Sequence, residues 1–482
     1  MKAQNLGAAS PSKEKAGAHQ THTFREYTRR GLLACLSLLC GCASYSPQPI
    51  DPFHEIDQLD QRVTESRRLD VVPPGKQEWL PLRTSIDLTD GLDLAEANAL
   101  ALFYGPRIRA ARSSERVAGA QLLRAGLLSN PELFLGPRIS ASGSDVIFPA
   151  GLSWELPLWG KREAEKSLAD QRLSVAQLRV VSTELRVLTE VRSAFIRVAG
   201  LHQVLKALEA QLDGSERVLQ WVAALQQTGE IDAVTAYLAR LEQDEARATL
   251  ATTRLELEST TLKLLENIGV PPTSRLSLTL DPDPISMPEL PSLSRRRLLR
   301  HPEIRTALSE YEAAEAALKL EVARQYPAIR VGPEFEDDGG DASVGAGVGI
   351  ELPLFDRNRG GVAEAEQRRE AARDRLASSL LQLSHVEAQA RAEWVANDRM
   401  LNDYRAGALK NAQGARRSLE LRLQAGQSNV LEVLAALRAL TSARVRELEL
   451  ERESTLARLR AAVAGGAVLK DPTHNNSETE KR

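Results

Sequence analysis

Cysteine is missing from almost the whole chain. All three cysteines, Cys35, Cys40 and Cys42, lie within the first 42 of 482 residues. Beyond Cys42 there can be neither an intrachain disulfide nor a thiolate metal site. Aromatic residues make up only 4% of the sequence, and after Met1 the methionines are Met287 and Met400, so no methionine cluster is offered to a soft metal. The seven histidines are scattered, with no pair at the spacing of a helical zinc site. No apolar run reaches the roughly 18 residues of a spanning helix. Basic and acidic residues nearly balance, 62 against 65, and no basic–aromatic interleaving marks a nucleic-acid face. No nucleophile motif, phosphate loop or metal set is present. Enzymes, cofactor carriers and nucleic-acid binders are the classes these absences argue against.

What the chain does have is a repeated unit. Glu155-Leu156-Pro157-Leu158 recurs as Glu351-Leu352-Pro353-Leu354, 196 residues on. The residues before each copy alternate. Val344, Ala346, Val348, Ile350 and Leu352 answer Phe148, Ala150, Leu152, Trp154 and Leu156. A strict period of two is the pattern of a strand with one apolar side. Upstream, Leu133, Leu135, Pro137 and Ile139 alternate in the same way, and Ile329, Val331, Pro333 and Phe335 stand at the same offset. The spacing predicts strand pairs over about 132–140 with 146–156 and about 328–336 with 343–352, in two copies of one structural unit.

Long helices surround these strands in sequence. From Leu178 to Leu212 apolar residues step by three and four, the spacing of a coiled-coil seam. A helix over about 162–227, of about 100 Å at 1.5 Å per residue, turns at Thr228-Gly229 and returns over 232–267. The second copy predicts a helix over 361–424, a turn at Ala425-Gly426 and a return to about Val463. The domains expected are repeat 1 over 91–267, a proline-rich joint over 268–293, repeat 2 over 294–466 and a disordered tail over 467–482.

The N-terminus carries Arg25, Arg29 and Arg30 before a short apolar run, the make-up of a signal peptide over residues 1–41. Its end, Leu39-Cys40-Gly41-Cys42, resembles the lipobox of bacterial lipoproteins, which implies cleavage before Cys42 and its lipidation. Residues 42–90 are proline-rich and polar, and are expected to form a tether.

Each copy supplies two strands of about ten residues with one apolar face, the length and alternation of a membrane-barrel strand. Four strands cannot close a barrel, and unpaired edges cannot stand in lipid, so closure requires other protomers. Trp154, Trp159 and its counterpart Phe355 suit an interfacial aromatic girdle.

The order helix, strand pair, long helix, tip turn, helix, given twice, resembles the TolC family of outer-membrane efflux channels over nearly all of residues 90–465. Pro353-Leu-Phe-Asp-Arg-Asn-Arg-Gly-Gly361 and Asn130-Pro-Glu-Leu133 look most like its heavy-metal, CzcC-like branch. The resemblance implies an α+β membrane protein: long antiparallel coiled-coil helices forming an α-barrel, and four transmembrane strands per protomer of a homotrimer. It implies docking to a periplasmic adaptor and an inner-membrane pump through hairpin tips at Gly229 and Gly426. Glu432 matches the family's acidic residue at the tunnel's closed aperture, while the family's second acid is Ala435 here. The expected role is the channel of a tripartite efflux system, with metal cations as candidate substrates. The alternatives are a type I protein-secretion channel of the same fold, or a lipidated coiled-coil tether.

Overall fold

The computed structural model describes residues 45–62, 68–70, 85–87, 91–136, 138–139, 146–274, 276–279, 295–338, 341–424 and 429–466. The signal peptide, Cys42, Gly426 and the tail lie outside the described residues, as do most of the joint and much of the tether.

The first short helix, α1 (Pro52–Gln61), buries no side chain. The Asp51 carboxylate accepts from the Phe53 backbone N–H at 3.0 Å and opens it. Strands β1 (Arg68–Asp70) and β2 (Ser85–Asp87) pair antiparallel. The stretch 42–90 is thus not uniformly extended. Its elements are too short to leave a periodic signal in the sequence.

Helix α2 (Leu94–Tyr104) is started by a reciprocal cap: Asp93 accepts from the Glu96 N–H and Glu96 accepts from the Asp93 N–H. That arrangement satisfies two donors the helix end would otherwise orphan. The body of α2 is buried, with Leu100 and Leu102 packed on Val187, Leu188, Val191 and Phe195 of the long helix α4 (Lys161–Gln227) and on Leu264 and Ile268 of α5 (Ala233–Ile268). Gly105 and Pro106 break α2 from α3 (Pro106–Ala125), since proline lacks the N–H that continuation needs but fits a first helical turn.

The second copy repeats the order. Helix α6 (Arg295–Arg300) is followed by α7 (Pro302–Ala323), again with proline in the first turn. The long helix is α8 (Arg359–Tyr404), a π-helical turn (Arg405–Leu409) and α9 (Lys410–Gln424). Helix α10 (Val430–Ala464) returns. Packing runs α3 on α4, α4 on α7 and α7 on α8 beside the sheet. Further along, α5 packs on α4, α4 on α10 and α10 on α8. The two long helices therefore run through both rows.

The strands form one antiparallel sheet. Its order is β3 (Glu132–Leu135) with β4 (Arg138–Ile139), then β5 (Val146–Glu155), β6 (Ile329–Asp338) and β7 (Asp341–Ile350). β3 and β4 keep a single register on β5, Leu135 facing Ala150 and Arg138 facing Ile147. They behave as one strand interrupted at Gly136. The two hairpins meet through β5 and β6, so the described sheet ends on β3/β4 at one side and β7 at the other.

Candidate channel surfaces

Register decides what each face of the sheet carries. Leu133 faces Leu152; Leu135 faces Ala150, which faces Phe335, which faces Val344. Trp154 faces Val331, which faces Val348. Because side chains alternate between faces, these residues share one side. Leu133, Leu135, Leu152, Phe335, Val344 and Val348 are all exposed there. An apolar surface this continuous is uncommon on a protein whose sheet stands in water.

The opposite face carries mostly polar and small residues, with Phe134 among them. Glu132 faces Ser153; Phe134 faces Gly151, which faces Glu334, which faces Gly345. Phe134, Gly151, Glu334, Glu336 and Ser343 wall one cavity of about 460 Å³. That cavity spans β3, β5, β6 and β7, and Leu152 and Phe335 also enter its wall. The Glu334 carboxylate lies across Gly347, where a Cβ would collide with it. At Gly332 a Cβ would collide with the Leu152 carbonyl oxygen. Only glycine lets β5 approach there.

The three aromatic residues picked from the sequence lie at the sheet's helical end. The Trp154 indole donates to the Ser129 carbonyl at 3.0 Å. The Trp159 indole donates to the Pro327 carbonyl at 3.2 Å, and its ring stacks on Tyr326 with centroids 5.3 Å apart. Phe355 is wholly exposed. Rings with one polar contact and one free apolar face suit a boundary between apolar and wet surroundings.

At the far end of α4 the chain turns through Gly229. Its φ is +77°, its N–H donates to Gln226, and the Glu230 N–H reaches back to Leu225. This is a helix stop of the Schellman type, and it demands the left-handed conformation that glycine adopts freely. A Cβ on Gly229 would meet nothing within 4 Å, so the protomer requires glycine for its backbone and not for space. Asp232 then caps α5 by accepting from the Thr235 N–H at 2.8 Å. The Thr235 hydroxyl and N–H hold its carboxyl below the ordinary range. In the other hairpin Asn429 caps α10 by accepting from Leu431. Glu432 sits in that first turn, half-exposed, with Arg422 at 3.9 Å. The tips are held together by Val218, Val222, Ala236, Ala239, Val430 and Leu434.

Two buried features escaped the sequence reading. The Arg112 guanidinium reaches Glu184 at 2.7 Å between α3 and α4; burial pushes that carboxyl up, against the pull of Arg112. His301 caps α7, its Nδ1 accepting from the Glu303 N–H at 3.3 Å. Burial holds its imidazole below the ordinary range, although the Glu303 carboxylate and the Val463 carbonyl favour the proton. Histidine is not among the usual capping residues, which hides this role in the sequence. No three His, Asp or Glu side chains come together as a metal site among the described residues.

An antiparallel sheet with one exposed apolar face, carried on two long helical hairpins, is the arrangement of an outer-membrane channel fold. The chain belongs to the outer membrane efflux protein family, whose sequence pattern matches residues 100–270 and 293–465. It is 26% identical over 356 residues to the cobalt-zinc-cadmium resistance protein CzcC of Cupriavidus metallidurans, covering 73% of this chain and 84% of that one. It is 26% identical over 440 residues to the pyoverdine export outer membrane protein OpmQ of Pseudomonas putida, covering 82% and 90%. Among solved structures, the Campylobacter jejuni CmeC outer membrane channel shares the fold with a TM-score of 0.69 at 15% identity, over 91% of this chain and 98% of that one. CusC does so with a TM-score of 0.68 at 20% identity, over 78% and 93%.

Proposed function

We propose that this protein is the channel of a tripartite efflux system, carrying substrates delivered by a pump and adaptor across the periplasm and outer membrane. The observation that carries the reading is the sheet: apolar on one face, polar on the other, and ending on two strands that lack partners among the described residues. Unpaired backbone in lipid costs several kcal/mol per group, and four strand-lengths are too few to close alone. Three protomers would give twelve, closed edge to edge between β7 of one and β3/β4 of the next. Trp154, Trp159 and Phe355 would lie at the inner boundary of the membrane, and Cys42 would carry lipid at the N-terminus. The carboxylates of Glu132, Glu334 and Glu336 on the polar face favour passage of cations, metal ions among them. Glu432, near the tip and half-exposed, is proposed as a carboxylate ring at the aperture. Gly229 and Gly426 are proposed as the surface an adaptor meets.

The test uses both ends of the protein. Extracted outer membranes should yield a heat-resistant trimer; a monomer released by salt would favour a lipidated tether. Gly229→Leu with Gly426→Leu should leave that trimer assembled, because the change at Gly229 costs only about 1–2 kcal/mol of backbone strain. The double variant should lose crosslinks to the adaptor and lose efflux, while Lys410→Ala does neither. Full efflux in the double variant would remove the tips from the docking surface.

A further inference from the structure

A cavity with a charged wall lies where the helices meet the sheet. It measures about 570 Å³ and takes one face from each of α3, α4, α7 and α8. These helices pack in a row, so a cavity touching all of them lies on the row's concave side. On the other side a separate groove is lined by α4 and α7 alone, with Lys319 in its wall.

The repeat supports the same orientation. Glu165, Leu168, Ala169 and Arg172 line the cavity from α4; Gly361, Glu364, Ala365 and Arg368 line it from α8, each 196 residues further on. Equivalent turns of the two long helices thus face one space. The floor is apolar: Leu168, Ala169, Leu320 and Ala365 are buried. The rim carries the guanidiniums of Arg124, Arg172, Arg324 and Arg368 against the carboxylates of Glu165, Glu321 and Glu364. Arg324 is tied to Glu321 at 2.7 Å and Arg368 to Glu364. Arg124 and Arg172 form no ion pair among the described residues, and both are exposed.

We propose that this cavity is a subsite for organic anions with an apolar body, held by Arg124 and Arg172 over the Leu168 and Leu320 floor. The inference rests on the channel reading, under which three concave rows face a common axis. A guanidinium offers a planar fork that matches carboxylate, sulfonate or phosphate oxygens. A bare metal cation gains nothing from these two arginines, whereas an anion with an apolar ring or chain gains both contacts. Passing solutes would then meet an acidic sheet lumen on one side and an arginine collar on the other.

The full-length protein reconstituted in planar bilayers tests this. The probe is an aromatic disulfonate, compared with inorganic sulfate, each added from the tunnel side during potassium chloride conduction. The wild type should be half-blocked by the disulfonate at a concentration about tenfold lower than by sulfate. Arg124→Gln with Arg172→Gln should raise the disulfonate value about tenfold, the loss of charge-assisted contacts. Lys319→Gln, on the opposite face of α7, should leave it unchanged. Block unaltered in the double variant, or weakened equally by Lys319→Gln, overturns the subsite while leaving the channel intact. Absence of any wild-type conductance overturns the channel reading and the subsite with it. If the double variant does not assemble, Arg172→Lys keeps the charge and removes the fork. It should weaken the block about threefold, and an unchanged block there also overturns the proposal.

Discussion

In the first copy of the repeat α4 runs unbroken from Lys161 to Gln227, and the strand opposite β5 is interrupted at Gly136. In the second copy β6 and β7 pair over their full ten residues, and it is the long helix that is interrupted, by the π-helical turn Arg405–Leu409. The strand difference begins from the same dipeptide. Gly136-Pro137 and Gly332-Pro333 are equivalent positions, and proline cannot donate to a ladder. In β6 the ladder to β7 survives at Pro333, while the pairing to β5 lapses at 332 and 333. The helix difference has a numerical origin. Glu351 follows Glu155 by 196 residues, but Gly426 follows Gly229 by 197. The second copy holds one extra residue between strand end and tip. A π turn takes up one extra residue without turning the rest of the helix out of phase.

Cross-helix pairing near that place is reversed in sign. In the second copy Arg405 on the outgoing helix holds Glu447 at 2.7 Å and Glu451 at 3.0 Å on α10. In the first, Glu209 on the outgoing helix holds Arg254 on α5 at 3.0 Å. The two hairpins are tied across by ion pairs of opposite polarity. The second adds a buried carboxylate, Glu447, which also accepts from Arg444.

The largest expected effect comes from removing one residue on each side of this comparison. Deleting Gln211 from α4 turns everything beyond it by about 100°. Val218 and Val222 leave their cluster at the tips, at about 3–6 kcal/mol. Deleting Gly407 removes the spare residue, closes the π turn into α-helix and should change stability by no more than about 1 kcal/mol. Denaturant melts of the detergent-purified proteins measure both. Equal losses would show that the π turn does not hold an inserted residue.

Next come the sheet faces, which should behave alike in the two copies. Leu152→Arg and Val348→Arg place a charge on the apolar face and should each cost about 2–4 kcal/mol in lipid. Ser153→Arg and Gly345→Arg lie on the polar face; at Gly345 a Cβ meets open space, and both should cost less than about 1 kcal/mol. Refolding into vesicles reads the difference, and equal tolerance on both faces would reverse the assignment.

The reversed pairs should differ more modestly. Arg405→Ala leaves a buried carboxylate short of a partner and should cost about 1–3 kcal/mol. Arg254→Ala breaks an exposed pair and should cost less than about 0.5 kcal/mol.

The last difference is a pH dependence that His301 gives to the second copy. His301 precedes Pro302 just as Gly105 precedes Pro106, and glycine has nothing to titrate. The folded His301 resists protonation, so below the ordinary histidine range the unfolded chain binds more protons and stability falls with pH. The slope is at most about 1.4 kcal/mol per pH unit. His301→Asn keeps a capping oxygen and should flatten the loss between pH 7 and 5, read from melts across that range.

Much of this was legible in the residues themselves. Period two marked the strands, and the pairing then put Leu133, Leu152, Val348 and Phe335 on one face. Steps of three and four marked α4, whose Leu188, Val191 and Val198 are buried. The π turn left no local signal, because Arg-Ala-Gly-Ala-Leu is ordinary helix composition; only the shift from 196 to 197 betrayed it. The convergence of Arg124 and Arg172 on one cavity was hidden for another reason. Charged residues at helical spacing read as a solvated face, and their convergence depends on how four helices pack. Gly229 was legible as a turn, and the hydrogen bonds to Leu225 and Gln226 show that its first duty is to the backbone.

The sheet's unpartnered margins have a kinetic consequence. Under the trimeric channel proposed above, a lone protomer would present the edges of β3/β4 and β7, unpartnered among the described residues, and an exposed apolar face, a template for indiscriminate pairing. Until its neighbours arrived it would be a transit species with a short tolerable lifetime. Its maturation should be limited by encounter, so yield should depend steeply on how fast chains are supplied and how long escorts shield them.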